Sequence, residues 1–249
     1  MNAGAPQLRF LYRGLRARLR DERAEIAALT GAIRPGDVAV DVGAHKGSFL
    51  PSLSWAAGPG KVVAFEPQPV LAEYLFRACR AARLTNVVVE ASGVSDAAGT
   101  QTLHVPGANA ASPGASFEPA VAGLTPGRGV AVSVVTLDEY FRGETRRIAA
   151  VKIDVEGHEL AVLRGARRTL DRHAPLVVVE CEVRHVGEDG VRAVLDFFAE
   201  RGYRGHFVRR GRLVAAEEFD PAVHQKATGG RFWDSKDYCN NFVLRKGPG

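Results

Sequence analysis

The chain has 249 residues, of which 46% are hydrophobic and 24% charged, and this composition is typical of a globular protein with a sizeable core. Its 33 basic and 28 acidic side chains leave a net charge of +5, which is too small to indicate a nucleic-acid-binding protein, and its apolar runs are shorter than the roughly 18–20 residues of a membrane-spanning helix. Three widely spaced cysteines without a CxxC pair argue against a disulfide framework or a structural zinc site, and the absence of a signal-like apolar segment at the start favours a cytoplasmic protein.

Residues 1–35 are predicted to form a basic, mostly helical arm. Leucines recur there at helical spacing, with arginines between them. The leucines are Leu8, Leu11, Leu15 and Leu19, and the arginines are Arg9, Arg13, Arg16, Arg18 and Arg20. Two interpretations stay open: an amphipathic helix packed on the edge of the domain, or a lid or docking surface for an acidic partner.

From residue 36 onwards, short runs rich in Val alternate with helical patterns. This alternation predicts a mostly parallel sheet covered by helices on both faces, within one domain over residues 36–249. The predicted strands are 38–42, 61–65, 87–90, 148–153 and 176–179, and the predicted helices are 48–57, 69–82, 159–170 and 191–201. Two further strands, 203–208 and 241–245, are expected to pair antiparallel at the edge of the sheet. The Gly- and Pro-rich segment 107–129 is too long for an ordinary connection, so it is either a functional loop or disordered.

A loop containing two glycines, residues 43–47, follows the first predicted strand. Glycine lets the backbone turn sharply and approach a ligand, and the next helix presents its N-terminus to that ligand. Glu66 ends the second strand, where a carboxylate can accept both hydroxyls of a ribose. The third glycine of the NAD fingerprint is replaced by Ser48, which disfavours a dinucleotide and favours a nucleoside without a diphosphate, such as S-adenosylmethionine (SAM).

A second candidate site, residues 152–159, follows the fourth predicted strand. It contains three carboxylates and a histidine, which are costly to bury without partners, at the end of the sheet where ligands bind in such folds. Asp154 is predicted to be functional, whereas Glu159 is predicted to cap the next helix. For Glu156 and His158, a functional and a capping role both stay open.

A third cluster of acids, Glu180 and Glu182, follows the fifth strand. Together with Asp154 these carboxylates could bind Mg²⁺, which prefers oxygen ligands. The alternative, which we favour, is that Arg184 or Lys152 neutralises them. We therefore predict no metal site.

Several of these segments, taken in order, resemble one known family. They are residues 41–47, 63–67, 93–96, 136–138, 152–159, 163–166 and the stretch from Pro175 to Glu180. Together they resemble the FkbM family of SAM-dependent methyltransferases over about residues 36–185, and the string Lys-Ile-Asp-Val-Glu-Gly-His-Glu is the most distinctive part. The resemblance implies a class I methyltransferase fold, a Rossmann-like three-layer sandwich whose seven strands have the order 3-2-1-4-5-7-6, with one antiparallel strand at the edge.

The resemblance also implies roles for individual residues. The loop would hold the methionine part of SAM, Glu66 the ribose, and Ser92 and Gly93 would border the adenine, next to Ala91 where many relatives have Asn. Asp154 would face the amino group of the cofactor or the acceptor. The implied cofactor-binding residues are Asp41, Gly43, Ala44, Gly47, Glu66, Ser92, Gly93 and Asp154.

The predicted reaction is methyl transfer to a small-molecule acceptor, most often in this family a hydroxyl of a sugar or of a polyketide-type natural product. Because a hydroxyl must lose its proton, His158, Asp154 and Glu156 are the candidate catalytic residues, with His158 or Asp154 as the general base. The long segment 107–129 and residues 228–241 are expected to shape the acceptor pocket. Four aromatic residues could stack on an acceptor ring or simply close a cluster at the edge: Phe117, Phe232, Trp233 and Tyr238.

Other functions stay open at this stage. They are methylation of a nitrogen or a carboxylate on a small molecule or peptide, a non-catalytic nucleoside-binding protein of the same fold, and a dehydrogenase. A nucleic-acid partner is not expected, and a homo-oligomer stays open.

Overall fold

The computed structural model describes residues 4–107, 111–122, 126–227, 229, 232, 235 and 237–247. Within them, eight strands form one sheet in the order β10-β9-β11-β8-β7-β1-β2-β3. These strands are β1 (Val38–Val42), β2 (Lys61–Phe65), β3 (Val87–Glu90), β7 (Ile148–Ile153), β8 (Leu176–Glu180), β9 (Tyr203–Arg209), β10 (Arg212–Ala215) and β11 (Asn241–Lys246). The five central strands, β3, β2, β1, β7 and β8, run parallel, so the predicted parallel sheet is confirmed.

The predicted seven-strand order is present, and the antiparallel strand β11 lies where that order puts it, between β8 and β9 and one strand in from the predicted edge. An eighth strand, β10, pairs antiparallel with β9 through a tight turn at Arg210 and Gly211, both of which have positive φ. β10 is short and half-exposed, so its sequence lacks the continuous apolar pattern that predicts the other strands.

Helices cover both faces of the sheet. They are α1 (Gly4–Arg16), α2 (Arg23–Ala32), α3 (Leu50–Ala57), α4 (Pro69–Ala81), α5 (Pro119–Ala122), α6 (Leu137–Tyr140), α7 (Glu159–Arg164), α8 (Arg167–His173), α9 (Val183–Ala199) and α10 (Pro221–His224), with a π-helical turn at Ala17–Asp21 and a 3₁₀ turn at Ala216–Glu218. Val40 of β1 packs with α7 to α9 on one face, whereas Ala39 packs with α2 to α4 on the other. This alternation along a fully buried strand explains why every side chain of β1 is apolar except that of Asp41.

The single helix predicted over 159–170 is in fact two helices, α7 and α8. The break falls at Gly165, where an added Cβ would lie 2.1 Å from the carbonyl oxygen of Ser95. The backbone that follows strand β4 (Gly93–Val94) therefore passes so close to position 165 that a side chain there would collide with it.

A second, three-stranded sheet follows β3 and was not predicted. It has the order β4-β6-β5, with β5 (Gly99–Pro106) and β6 (Gly127–Val135) paired antiparallel. The segment predicted as a long loop thus contains α5 and the start of β6, while residues 108–110 and 123–125 lie outside the described residues. The strands of this sheet are half-exposed and lack the continuous apolar pattern of the core strands, although the alternating valines of β6 are typical of a strand with one exposed face.

The basic segment at the start is helical, as predicted, but α1 buries a different face from its leucine face. Phe10 and Ala17 are buried, whereas Leu8, Leu15 and Leu19 are exposed. Helix α2 contributes Leu29 to the core beneath β7 and β8. None of the helices in the described ranges combines the length and hydropathy needed to cross a bilayer.

Candidate active site

The loop after β1 is held tightly against the ends of its neighbouring strands. Both Gly43 N and Ala44 N donate to the carbonyl oxygen of Phe65 at 3.0 Å. Gly43 has a φ of +79°, and a Cβ at this position would lie 1.8 Å from the carbonyl oxygen of Asp154. Only glycine fits here, because the loop must turn left-handed while passing directly against the backbone after β7.

Glu66 is fixed by the backbone around it at the end of β2. Its Oε2 accepts from His45 N at 2.7 Å, and its Oε1 accepts from Gln68 N at 2.9 Å. Burial raises the pKa of Glu66 to about 7. Each carboxylate oxygen can accept more than one hydrogen bond, so both remain able to accept a hydroxyl from a ligand.

A buried lysine, Lys152, joins β1 to the segment after β7. Its Nζ donates to the Gly43 carbonyl at 3.2 Å and to Asp154 Oδ2 at 3.0 Å, and it lies 3.5 Å from Asp41 Oδ1. Burial would lower the pKa of Lys152, but the carboxylates of Asp154 and Asp41 outweigh it and raise the pKa. The Asp41 carboxylate has no hydrogen-bond partner among the described residues, so its charge is balanced by this lysine.

Glu156 stands out because its backbone is left-handed, with a φ of +52°. That conformation costs a non-glycine residue energy, so it needs support from its surroundings. Ser116 Oγ supplies part of it by donating to the Glu156 carbonyl at 2.6 Å, while His185 Nε2 lies 3.3 Å from Glu156 Oε2. Burial, helped by the nearby charge of Asp154, raises the pKa of Glu156 to about 8.

Both ring nitrogens of His158 are occupied by neighbouring side chains. Nδ1 lies 2.6 Å from Glu118 Oε1, and Nε2 lies 2.9 Å from Ser95 Oγ. The ring also packs 5.2 Å from that of Phe117. His158 therefore ties the segment before α5 to the start of α7.

These elements enclose a crevice of about 110 Å³, open to solvent on one side, at the carboxyl ends of β1, β2 and β7. Its lining consists of Gly43, His45, Glu66, Pro67, Gln68, Leu103, Pro113, Ala115, Phe117, Asp154, Val155 and Glu156.

Four of the predicted site residues line the crevice: Gly43, Glu66, Asp154 and Glu156. The others, Asp41, Ala44, Gly47, Ser92, Gly93 and His158, lie outside this lining. Gly93 still bears on the crevice indirectly, since a Cβ there would meet the Phe117 ring at 2.6 Å. Both Pro113 and Phe117 come from the Gly- and Pro-rich segment, as expected of a segment that shapes the pocket.

The sequence analysis missed Gln68 and His45. Gln68 exchanges two hydrogen bonds with the backbone of Ser112 (3.0 and 2.8 Å) and so fastens the inserted segment beside Glu66. Its position two residues after the strand-terminal acid was the available signal. His45 has a φ of +47°, and burial lowers its pKa to about 4.

In the third acidic cluster Glu182 is paired with Arg184, as the favoured alternative predicted, whereas Glu180 is held by an amide. Arg184 donates to both oxygens of Glu182 (2.6 and 2.8 Å), Tyr238 donates to Glu182 Oε2 at 2.6 Å, and Asn240 donates to Glu180. Across the described ranges no three His, Cys, Asp or Glu side chains are grouped so as to hold a metal ion, and the Mg²⁺ alternative has no support.

The remaining aromatic residues form a small cluster of their own. The rings of Phe232 and Tyr238 meet edge to face at 5.1 Å, and Trp233 lies outside the described residues. Of the three aromatic residues that the structure describes, Phe117 is the one that lines the crevice.

Comparison with known proteins agrees with this architecture. The family model of the methyltransferase FkbM domain matches residues 41–204, about two thirds of the chain. The chain belongs to the FkbM methyltransferase family. No curated protein matches its sequence.

Solved structures similar to this FkbM protein share the class I methyltransferase fold at low sequence identity. The FkbM methyltransferase of Methylobacillus flagellatus superposes with a TM-score of 0.52 at 17% identity, over 97% of this chain and 55% of that one. This chain therefore spans little more than half the length of that relative. A proposed O-methyltransferase from Klebsiella pneumoniae has a TM-score of 0.51 at 14% identity, over 98% of this chain and 90% of its own. A proposed rRNA methylase from Clostridium thermocellum has a TM-score of 0.52 at 10% identity, with 92% and 96% covered.

The crevice of this FkbM protein fits SAM. The backbone at Gly43 leaves no room for a side chain, and a buried acid, Glu66, stands at the end of the adjacent strand. Asp154 adds a second carboxylate to the lining, and its Oδ2 accepts from Lys152 Nζ at 3.0 Å while Oδ1 is left for a cationic group of a ligand. The lining therefore supplies acceptors for a nucleoside and for an amino acid.

Proposed function

We propose that this chain is a SAM-dependent methyltransferase that acts on a hydroxyl of a small acceptor, a sugar or a polyketide-type compound. The observation that carries the proposal is the meeting of Gly43, Glu66 and Asp154 in one crevice at the carboxyl ends of three parallel strands. When bound, SAM supplies an electrophilic methyl group on a sulfonium. In this assignment Glu66 holds the ribose, and Ser92 and Gly93 lie on the adenine side.

The protein's chemical task is to position the acceptor and to remove its proton. We assign the role of general base, which removes this proton, to Glu156. It lines the crevice, and its pKa of about 8 suits a general base that works near neutral pH. His158 is less suited, since Glu118 and Ser95 occupy its two nitrogens, and we assign it a positioning role. Asp154 is engaged by Lys152 and serves on the cofactor side.

Cofactor binding is tested with S-adenosylhomocysteine (SAH), measured by calorimetry and by the rise in melting temperature. Glu66→Ala removes the proposed ribose acceptor and is expected to weaken SAH binding by more than about tenfold, since a hydrogen bond to a charged group contributes about 1.5–3 kcal/mol. Glu217→Ala, at an exposed carboxylate, is the control. If the wild-type chain is stabilised by NAD but not by SAH, the proposal is wrong.

The acceptor group is tested with [methyl-³H]SAM and three matched sets of compounds, each carrying a hydroxyl, an amine or a carboxylate on one scaffold. Label transfer to the hydroxyl compounds is expected, and Glu156→Gln should abolish it while SAH binding persists. Transfer to the amines or carboxylates alone would overturn the O-methyl assignment. SAH binding without transfer to any broad acceptor set would favour the non-catalytic alternative.

A further inference from the structure

The outward face of α1 is apolar although nothing in the described chain covers it. Four side chains there follow the spacing i, i+4, i+7, i+11. They are Leu8, Tyr12, Leu15 and Leu19, and they are 68%, 66%, 49% and 65% exposed. Leu8, Tyr12 and Leu15 lie in α1, where at about 100° per residue they fall within roughly 60° of the helix circumference, and Leu19 lies in the π-helical turn that continues α1. We call these four residues the α1 stripe.

The α1 stripe is not a by-product of how the helix packs. Phe10, Gly14 and Ala17, on the opposite side of the helix, supply the buried face, where Gly14 lies against Pro51 and α1 contacts α3 and α4. The helix therefore already has the apolar contacts that hold it in the fold. A second stripe facing solvent contributes nothing to those contacts, and it indicates an interaction surface.

Charge identifies the kind of partner. Residues 4–20 contain five arginines and no acidic residue, so this segment alone carries as much positive charge as the net charge of the chain. Arg9 and Arg18 flank the stripe on opposite sides and are exposed, whereas Arg16, on the same side as Arg9, pairs with Asp21 (Nε to Oδ2, 2.7 Å). A second copy of the chain would bring two such basic segments together, which disfavours self-association through this face.

We propose that α1 docks this protein on the surface of an anionic lipid bilayer. A helix of 13 residues is about 20 Å long, too short to span the hydrocarbon core but suited to lie in the interface. The leucines would insert below the headgroups, Tyr12 would sit at the boundary, and the flanking arginines would extend to the lipid phosphates.

Docking would also bear on the crevice, because α1 contacts the loop after β1 directly. Arg13 Nη1 donates to the Lys46 carbonyl at 3.1 Å and to Tyr74 Oη at 3.2 Å, and Phe10 packs against Gly47. The membrane-bound helix and the loop proposed to hold SAM thus form one packed unit. The docking itself does not depend on the proposed methyl transfer.

The test is co-sedimentation of the purified chain with two kinds of vesicle. One is phosphatidylcholine alone, and the other contains about one third phosphatidylglycerol. Binding to the anionic vesicles is expected, with little binding to the neutral ones and a clear decrease at high salt. The double variant Leu8→Glu, Leu19→Glu should lower the partition coefficient by at least about tenfold.

The matched control is Leu213→Glu with Val223→Glu. It makes the same change of charge at two other exposed apolar side chains, 43% and 58% exposed, and should bind the anionic vesicles like the wild type. Unchanged SAH binding and melting temperature show that each variant is folded. The proposal is overturned if the wild type ignores anionic vesicles, if the control loses binding as much as the α1 variant, or if the α1 variant instead abolishes dimers seen by light scattering.

Discussion

Replacing Glu159 by Gln is expected to make the stability of the fold less sensitive to pH. The Glu159 carboxyl is buried at the start of α7, where Oε1 accepts from Gly157 N at 2.9 Å and Oε2 has no partner among the described residues. Burial raises its pKa from 4.5 to about 7. The folded chain therefore keeps a proton over a pH range in which the unfolded chain has already released it.

The sign and size of the effect follow from this difference. Between the two pKa values the folded state binds more protons than the unfolded state, so stability falls as pH rises from 4.5 through 7. The full gap corresponds to about 3.4 kcal/mol, of which about 2.5 kcal/mol is lost between pH 5 and pH 8. Gln cannot ionise, so the variant does not lose stability in this way as pH rises. Any cost of burying its amide is the same at each pH and leaves the difference unchanged.

The measurement is urea unfolding of the wild type and Glu159→Gln at pH 5 and pH 8. The stability of the variant relative to the wild type should rise by about 2.5 kcal/mol between these values, or by roughly 5–10 °C in relative melting temperature. Glu217→Gln, at an exposed carboxyl, should follow the wild type. An identical pH dependence for Glu159→Gln and the wild type would show that this carboxyl is not held protonated by burial, and the reasoning would be refuted.

Three further outcomes are expected. Methyl transfer under saturating substrates should rise with pH through about 8 as Glu156 ionises, and a pH-independent kcat between 6 and 9 would contradict its role as base. Lys152→Met should lower the free energy of unfolding by about 3–5 kcal/mol in chemical unfolding, because Asp41 would lose its buried counter-charge. A loss below about 1 kcal/mol would show that this ion pair is dispensable. Dialysis against EDTA should leave activity intact, since Asp154 and Glu182 are each bound to a cation, and a loss restored by added Mg²⁺ would revive the metal site.

The parallel core was predictable because its signal is local and strong. A strand buried on both faces is mostly apolar, as β1 and β7 are apart from Asp41 and Lys152. These two strands, together with β2 and the half-exposed β3, begin and end at the residues that the sequence indicates. The same reasoning placed Gly43 and Glu66 at neighbouring strand ends, where the structure brings them into one crevice.

The inserted sheet could not be predicted in the same way, since β5 and β6 are half-exposed and lack a continuous apolar pattern, and the alternating valines of β6 were the available signal. The buried face of α1 was misjudged for a related reason. Spacing alone shows that leucines share a face, but whether that face is buried depends on tertiary contacts, and here Phe10 and Gly14 make them. The partners of His158 lie 40 and 63 residues away in sequence, so only the folded chain reveals that both its nitrogens are engaged.

The three-stranded sheet has a consequence for how this protein could diverge. It leaves the main sheet after β3 and returns before β7, and its polar contacts with the crevice include Gln68 to Ser112, Ser116 to the carbonyl of Glu156, and Glu118 to His158. If the proposed function holds, exchanging residues 99–135 between family members while keeping these contacts is expected to change the acceptor and to leave the pairing of β1, β2 and β7 unaltered.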